Sequence, residues 1–169
     1  LNKTNLNTNF ITNIGADWAA KIDMTTWKVG GNTFANIAKQ PAKTAYQNEI
    51  VSPVTTNTTD NVIEYRAKVG LMYASDYGFA AAPSAWTTNL WKYDGNGIIN
   101  VNWMYMGLYE WTISRDADGA FRVFNVNYTG GLSNSSAYYV HAVRPVFSLS
   151  SSITYLSGDG TKTEPIRIN

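Results

Sequence analysis

The chain has 169 residues, and its formal net charge of +1 supplies no long-range field that would attract nucleic acid or anionic lipid. It contains no cysteine, which excludes disulfide frameworks, thiolate zinc sites and cysteine nucleophiles. Charged residues make up only 15%, against roughly 25% in soluble domains, while aromatic residues reach 14%. This neutral polarity, rich in Asn, Thr and Ser, is typical of extracellular domains, and we expect a secreted or cell-surface protein.

The length favours a single domain over residues 1–169, because no segment has the composition of a linker between two domains. No apolar run reaches the roughly 18 residues that cross a bilayer. We therefore expect no membrane insertion within this segment. The chain begins at Leu1 without a basic and then apolar export signal, so we expect any signal or anchor to lie upstream.

Four elements are predicted in the first part of the chain. Apolar residues recur at helical spacing over residues 8–23 and predict one amphipathic helix; they are Phe10 or Ile11, Ile14, Trp18 and Ile22. Residues 25–29 are predicted as a short strand, with residues 33–37 as its partner beyond a Gly30-Gly31-Asn32 turn. Residues 44–51 have no helical stripe and are predicted as a further strand, followed by a loop over residues 52–61.

The longest predicted strand covers residues 62–74, with Gly70 interrupting one of its two faces. A short helix is predicted next, capped by Ser75 or Asp76 and limited by Pro83. Large rings then crowd residues 86–106, where we expect mostly core packing under long loops. A sugar-stacking platform is the alternative for these rings.

A hairpin is predicted between residues 109 and 126. Trp111 and Ile113 alternate with polar residues, and the segment 116–119 (DADG) supplies turn chemistry. The apolar phase changes near Phe124 and Asn125, which predicts a bulge there. We expect Trp111, Phe121 and Phe147 to be core rings.

Beyond Asn127 the apolar alternation stops, and residues 128–139 are predicted as a polar loop of Tyr, Gly, Ser and Asn. Such a composition favours binding, because these residues make adaptable contacts at low entropic cost. A strand over residues 143–147 follows, in which we expect Arg144 to lie beside core rings and to bond backbone carbonyls or an acid. Residues 153–155 and 166–168 flank a Gly/Asp turn, and a strand closes the chain.

Four segments together resemble a bacterial family: 68–80 (KVGLMYASDYGFA), 110–115 (EWTISR), 143–149 (VRPVFSL) and 157–161 (SGDGT). The chain is similar to the C-type-lectin-like domains of gut-type Firmicutes surface proteins. These domains share their fold with formylglycine-generating-enzyme-like domains and with the variable proteins of diversity-generating retroelements. The resemblance covers most of the chain after Trp27. It implies an α+β, C-type-lectin-like fold with small antiparallel sheets, one or two short helices and long loops.

The resemblance also implies that the residues before the Arg-Pro strand form an exposed ligand face. The expected ligand-binding residues are Asn125, Asn127, Tyr128, Ser135, Tyr138, Tyr139 and His141. We therefore expect non-enzymatic, adhesin-like recognition of a surface protein or glycan. The alternatives are a pilin-like structural or tip subunit of a surface appendage and, more weakly, a glycan-active enzyme. A surface loop without any partner is the remaining alternative.

Catalytic signals are weak throughout the sequence. His141 is the single histidine, and no Gly-x-Ser-x-Gly elbow accompanies it. The chemistry of the formylglycine-generating relatives and of related iron enzymes needs cysteines or several histidines, so the resemblance implies the fold without that chemistry. No spacing singles out a pair among the candidate glycosidase acids Glu49, Glu64, Asp76, Glu110 and Asp116.

The segment 116–119 is similar to the opening of a calcium loop, but the later bidentate acid of an EF-hand is missing. The Glu-Pro-Asn triplet of calcium-dependent lectins is missing as well. We therefore expect no catalytic residue, no metal ligand, no cofactor and no nucleic-acid partner. A structural calcium site remains the alternative for this turn.

Overall fold

A computed structural model describes residues 2–53 and 64–169, which fold as a mixed α+β protein with small sheets and short helices. The expected α+β class is therefore confirmed. The chain divides into two compact units. One comprises Leu1–Thr25, Ala67–Val69 and Phe147–Asn169, and the other comprises Thr26–Arg66 and Gly70–Val146.

The helical segments, in chain order, are π-helical Asn2–Phe10, α1 (Ile11–Asn13), α2 (Ala16–Lys21), α3 (Ala42–Tyr46), π-helical Gln47–Val51, α4 (Ala74–Phe79) and 3-10 turns at Pro83–Ala85, Leu90–Lys92 and Ile98–Val101. The strands are β1 (Thr25–Lys28), β2 (Glu64–Ala67), β3 (Val69–Leu71), β4 (Glu110–Arg115), β5 (Arg122–Val126), β6 (Leu132–Ser136), β7 (Pro145–Phe147), β8 (Tyr155–Ser157) and β9 (Arg167–Ile168). Four sheets result, with the orders β1-β2, β3-β7, β4-β5-β6 and β8-β9. In the described ranges, no helix has the length and apolar character of a bilayer-spanning segment.

In the first unit, the single helix predicted over residues 8–23 is two helices, and helical structure already begins at Asn2. The break lies at Gly15, whose φ of +86° belongs to the left-handed region that glycine enters at little cost. The predicted apolar stripe is nevertheless real. Its members line one groove together with Phe147; they are Phe10, Ile14, Trp18 and Ile22. The closing strand pair is also confirmed, since β8 and β9 pair antiparallel.

In the second unit, two predicted strands are wrong. Residues 33–37 lie mostly in turns, and residues 44–51 are helical. Ala42, Ala45 and Glu49 are buried and lie at helical spacing. A buried carboxylate therefore occupies the position that an apolar residue would take, and this hid the helical stripe from the sequence pattern.

Glu49 connects this helical segment to α4. Its carboxylate accepts hydrogen bonds from the backbone N–H groups of Ala74 and Ser75, both at 2.9 Å, and from the Ser114 hydroxyl. The short helix predicted after residue 74 is confirmed, and Asp76 accepts the Tyr73 N–H at 2.9 Å, as expected of a capping residue. The first N–H groups of α4 are thus satisfied by a side chain 25 residues upstream.

The long strand predicted over residues 62–74 is interrupted. Residues 62 and 63 lie outside the described residues, as do residues 54–61 of the predicted loop. Beyond them, β2 and β3 flank Lys68 and pair with different strands, β1 and β7. Trp27 in β1 packs over Gly70, where an added Cβ would lie 2.6 Å from the indole ring. The close approach of this ring accounts for the glycine.

The core of the second unit is built around α3, α4, β5 and the loops between residues 83 and 106. Its largest fully buried side chains include Tyr77, Tyr93, Phe124, Met72 and Leu90. The expectation for the rings of residues 86–106 holds only in part. The ring of Tyr93 is buried, whereas those of Trp86, Trp91 and Trp103 are exposed.

Candidate functional site

The sheet β4-β5-β6 carries the candidate site. Glu110 pairs with Val126 and Trp111 with Asn125, which confirms the predicted hairpin. Because side chains alternate along a strand, Phe124 and Val126 point into the core while Trp111 and Asn125 share the opposite face. This outer face is where the candidate residues are assembled.

The irregularity predicted near Phe124 and Asn125 is present in the β4-β5 ladder, between the pairs Trp111↔Asn125 and Arg115↔Val123, although the extra residues lie in β4. The register of β5 with β6 is uninterrupted. Two predicted core rings, however, are wrong. Phe121 is 58% exposed and Phe147 is 37% exposed. In place of Phe121, Phe124 enters the core, where its ring centroid lies 6.2 Å from that of Phe34.

Much of the polar loop predicted over residues 128–139 is strand β6. All five of its residues pair with β5, from Val126↔Leu132 to Arg122↔Ser136. Backbone pairing holds this Ser/Asn-rich strand, with help from buried Leu132 and from the Asn134 amide, which donates to Asp116 at 2.6 Å. Only the turns on either side of β6 remain as connecting segments.

Six ring side chains form what we call the aromatic cluster: Tyr109, Trp111, Tyr128, Tyr138, Tyr139 and His141. His141 lies at its centre. The His141 ring centroid is 4.2 Å from that of Trp111, 5.0 Å from that of Tyr109 and 6.1 Å from that of Tyr139. Further contacts join Tyr109 to Tyr128 at 5.5 Å and Tyr138 to Tyr139 at 4.7 Å.

The cluster is open to solvent at its periphery and closed at its base. Tyr138 is 76% exposed, Tyr128 56% and Tyr139 53%, whereas Trp111 is only 7% exposed. Trp111 therefore supports the cluster from the sheet, and the tyrosines present their faces and hydroxyl groups. Such rings combine a large apolar contact area with a polar edge.

Backbone pairing and one ion pair hold His141 against β4. Trp111 donates its backbone N–H to the Ala142 carbonyl at 2.9 Å, and Ala142 donates to Tyr109 at 2.8 Å. The Arg144 guanidinium bonds both oxygens of the buried Glu110 carboxylate and the Met104 carbonyl. The structural role expected for Arg144 is thus confirmed in its contacts.

The structure brings together four of the seven residues expected on the ligand face: Tyr128, Tyr138, Tyr139 and His141. The other three make contacts within the scaffold. Asn125 has no exposed surface, and its amide donates to the Ser135 hydroxyl at 2.9 Å. Asn127 folds the turn before β6, since its Oδ1 accepts hydrogen bonds from the Thr129 N–H, the Thr129 hydroxyl and the Gly131 N–H. The expectation that Asn125 is exposed is therefore wrong.

The sequence-based prediction also missed two members of the cluster. Tyr109 and Trp111 lie two residues apart on a predicted strand and therefore share one face. That alternation is the available signal, and the prediction of Trp111 as a core ring is confirmed by its burial.

The electrostatic surroundings of the cluster are neutral. Residues 126–143 contain no Asp, Glu, Lys or Arg. A side-chain hydrogen bond with Tyr138 raises the pKa of Tyr139. A contact surface of this kind suits an uncharged ligand face.

The acids considered for catalysis or for metal binding have internal partners. Asp116 accepts from the Asp118 N–H at 2.9 Å and from Asn134, and Asp118 accepts from the Phe34 N–H at 3.0 Å. Burial raises the pKa of Asp116, of Glu49 and of Glu110. Within the described ranges, no group of three or more His, Asp or Glu side chains is placed to hold a metal ion.

No protein-family model, curated protein or solved structure matches this chain.

Proposed function

We propose that this chain is a non-enzymatic recognition domain, displayed at the cell surface or secreted, that binds a protein or glycan ligand through the aromatic cluster. The observation that carries the proposal is the run of contacting, solvent-exposed rings centred on His141 and seated on Trp111. Exposed aromatic anchors of this kind contribute most of the binding free energy in many interfaces.

Because residues 126–143 carry no charged side chains, we expect binding through ring contacts and hydrogen bonds rather than through ion pairs. Tyr, Ser, Gly and Asn predominate in residues 127–139, the composition that paratopes use to combine rigid aromatic contacts with adaptable hydrogen bonds. The base of the cluster is rigid because backbone pairing, Glu110 and Arg144 hold its segments. Pre-organisation of this kind lowers the entropic cost of binding.

We further propose that the fold is C-type-lectin-like. Small sheets, short helices and long loops support this assignment, together with the four sequence segments that carry the resemblance. In such a fold, the residues before the Arg144-Pro145 strand would present the ligand face, and the aromatic cluster includes four of them.

The test compares wild type with the double variant Tyr128→Ala/Tyr138→Ala on glycan arrays and on arrays of host and bacterial surface proteins. We expect wild type to bind and the variant to lose binding at least tenfold, with an unchanged melting temperature. Tyr155→Ala is the matched control, because Tyr155 is 64% exposed and lies outside the cluster. Equal binding by all three proteins would overturn the assignment of the cluster as the binding surface.

A further inference from the structure

Strand β6 is the edge strand of the β4-β5-β6 sheet, and its hydrogen bonds reveal which way each backbone group points. The flanking bonds run from Asn127 N–H to the Gly131 carbonyl and from Ala137 N–H to the Phe121 carbonyl. In an antiparallel ladder, residues that bond the neighbouring strand alternate with residues that point away from it. In the register of β5 and β6, Ser133 and Ser135 therefore bond β5, while Asn134 and Ser136 direct their N–H groups outward.

These outward groups have no partner. Among the residues that the structure describes, no hydrogen bond reaches the backbone N–H or carbonyl of Asn134, or the N–H of Ser136. The opposite edge of the same sheet is occupied, since Trp111 bonds Ala142 and Ile113 bonds Met72. The 3-10 turn Leu90–Lys92 contacts β6 near Gly131 and Leu132, so the part of this edge that has free backbone groups is the Asn134–Ser136 half. Free backbone groups at a sheet edge are a template for a further strand.

The open edge lacks the devices that usually prevent pairing. Its sequence, Leu-Ser-Asn-Ser-Ser, contains no proline and no charge, and its register with β5 has no bulge. Proteins that keep an edge strand solitary usually use lysine, proline or a bulge for that purpose. Their absence from β6 leaves its second half able to pair with another strand.

We propose that β6 pairs antiparallel with β6 of a second copy of this chain, which joins two three-stranded sheets into one of six strands. A two-fold axis places Asn134 and Ser136 of each copy in the shared ladder, to which Asn134 brings an outward N–H and carbonyl and Ser136 an outward N–H. The Ser136 carbonyl also accepts the Tyr139 N–H at 3.0 Å in the following turn. Symmetric pairing brings identical segments face to face, and charged residues would repel one another there. The hydroxyl and amide side chains of β6 avoid that repulsion.

The turn that follows β6 adds apolar surface to such an interface. Val140, four residues beyond the end of the strand, is 98% exposed. A short ladder alone buries too little area for a stable dimer, whose interface usually exceeds about 1,000 Å² in total. Side chains that project beside the paired strands supply additional contact area. The proposal does not depend on the ligand of the aromatic cluster.

Amide hydrogen exchange, followed by NMR in the intact protein, tests the pairing directly. In dilute protein, we expect the Asn134 amide to exchange fast while the Ser133 and Ser135 amides are protected by β5. As protein concentration rises, Asn134 should become protected together with dimer formation. Protection of Asn134 that is independent of concentration, or its absence at every concentration, would overturn the proposal.

Sedimentation velocity of a matched pair of variants is a second test, and it measures the affinity of the dimer. Ser136→Pro removes an outward N–H that the fold itself does not use, and proline is tolerated in an edge strand at such a position. Ser136→Thr keeps the N–H. We expect wild type and Ser136→Thr to form a reversible dimer, and Ser136→Pro to lose at least tenfold in dimer affinity. If Ser136→Pro dimerises with the affinity of wild type, the interface lies elsewhere and the β6 pairing is wrong. A wild type that stays monomeric would refute the proposal as well. If Ser136→Pro does not fold, the Asn134 exchange result decides.

Discussion

Arg144 donates to both carboxylate oxygens of Glu110, with Nε 3.0 Å from Oε1 and Nη2 3.2 Å from Oε2. Glu110 is almost completely buried, and Arg144 also bonds the Met104 carbonyl. This pair joins β4 to the segment that carries His141, and it therefore lies at the base of the aromatic cluster.

Replacing Arg144 with Ala leaves a buried carboxylate without its cation. We expect the free energy of unfolding to fall by roughly 3 kcal/mol, because removing one partner of a buried pair is costly. Thermal unfolding measures the loss. The double variant Glu110→Gln/Arg144→Met is the control, and it should recover part of the stability because no unpaired charge remains. An unchanged melting curve in Arg144→Ala would contradict a structural role for the pair.

The cap that Glu49 provides makes stability depend on pH. Burial raises the pKa of Glu49, so the folded state holds its proton at pH values where the unfolded state, with a pKa of about 4.3, has lost it. Stability should then fall as the pH rises above that unfolded value, by up to about 1.4 kcal/mol per pH unit for one proton. Burial raises the pKa of Glu110 and Asp116 as well, and these groups act in the same direction.

Urea unfolding between pH 4 and pH 8 should therefore give a lower free energy of unfolding at the alkaline end. Glu49→Gln removes one titrating group and should flatten the slope. A slope identical to that of wild type would show that Glu49 does not bind the extra proton.

Gly70 lies where Trp27 leaves no room for a side chain. An added Cβ would lie 2.6 Å from the indole ring, so Gly70→Ala should cost roughly 1–3 kcal/mol through overpacking. Gly95→Ala is the matched control, since its Cβ would meet its nearest neighbour at an ordinary 3.5 Å. Chemical denaturation of both variants should reveal a loss in the first only, and equal stability would show that Trp27 moves aside freely.

The exposed tyrosines and the core rings should differ in their effect on stability. Tyr138→Ala should change the free energy of unfolding by less than about 0.5 kcal/mol, whereas Phe124→Ala should cost about 3–5 kcal/mol. The reason is burial, since Tyr138 is 76% exposed and Phe124 has no exposed surface. Denaturation midpoints compare the two, and a large loss in Tyr138→Ala would mean that this ring supports the fold.

Calcium should leave stability unchanged. The carboxylates of Asp116 and Asp118 already accept hydrogen bonds from Asn134 and from backbone N–H groups. Thermal unfolding in calcium and in chelator should give overlapping curves. A marked upward shift in calcium would reveal a site that binds the folded state.

Local patterns predicted the elements that rest on local interactions. Alternating residues and a Gly/Asp turn predict the hairpin after Tyr109, and a cap by Ser75 or Asp76 predicts the short helix that the structure has at residues 74–79. The helix of the first residues was recognised by its stripe, although its break at Gly15 was not. The resemblance implied four residues of the aromatic cluster, and a composition rich in Tyr, Ser, Gly and Asn favoured binding.

The sequence by itself determined the mixed class, the neutral character of the surface and the segments that could carry a binding site. Only the tertiary structure decided that residues 44–51 are helical. The buried Glu49 side chain is stabilised by hydrogen bonds from the first N–H groups of α4, 25 residues away, and no local pattern encodes them. It alone decided that β6 is a strand, since pairing with β5 outweighs the weak strand preference of Ser and Asn. It likewise decided that Trp111 and Tyr109 meet His141, because such contacts join segments about 30 residues apart, and no local pattern encodes which segments pair.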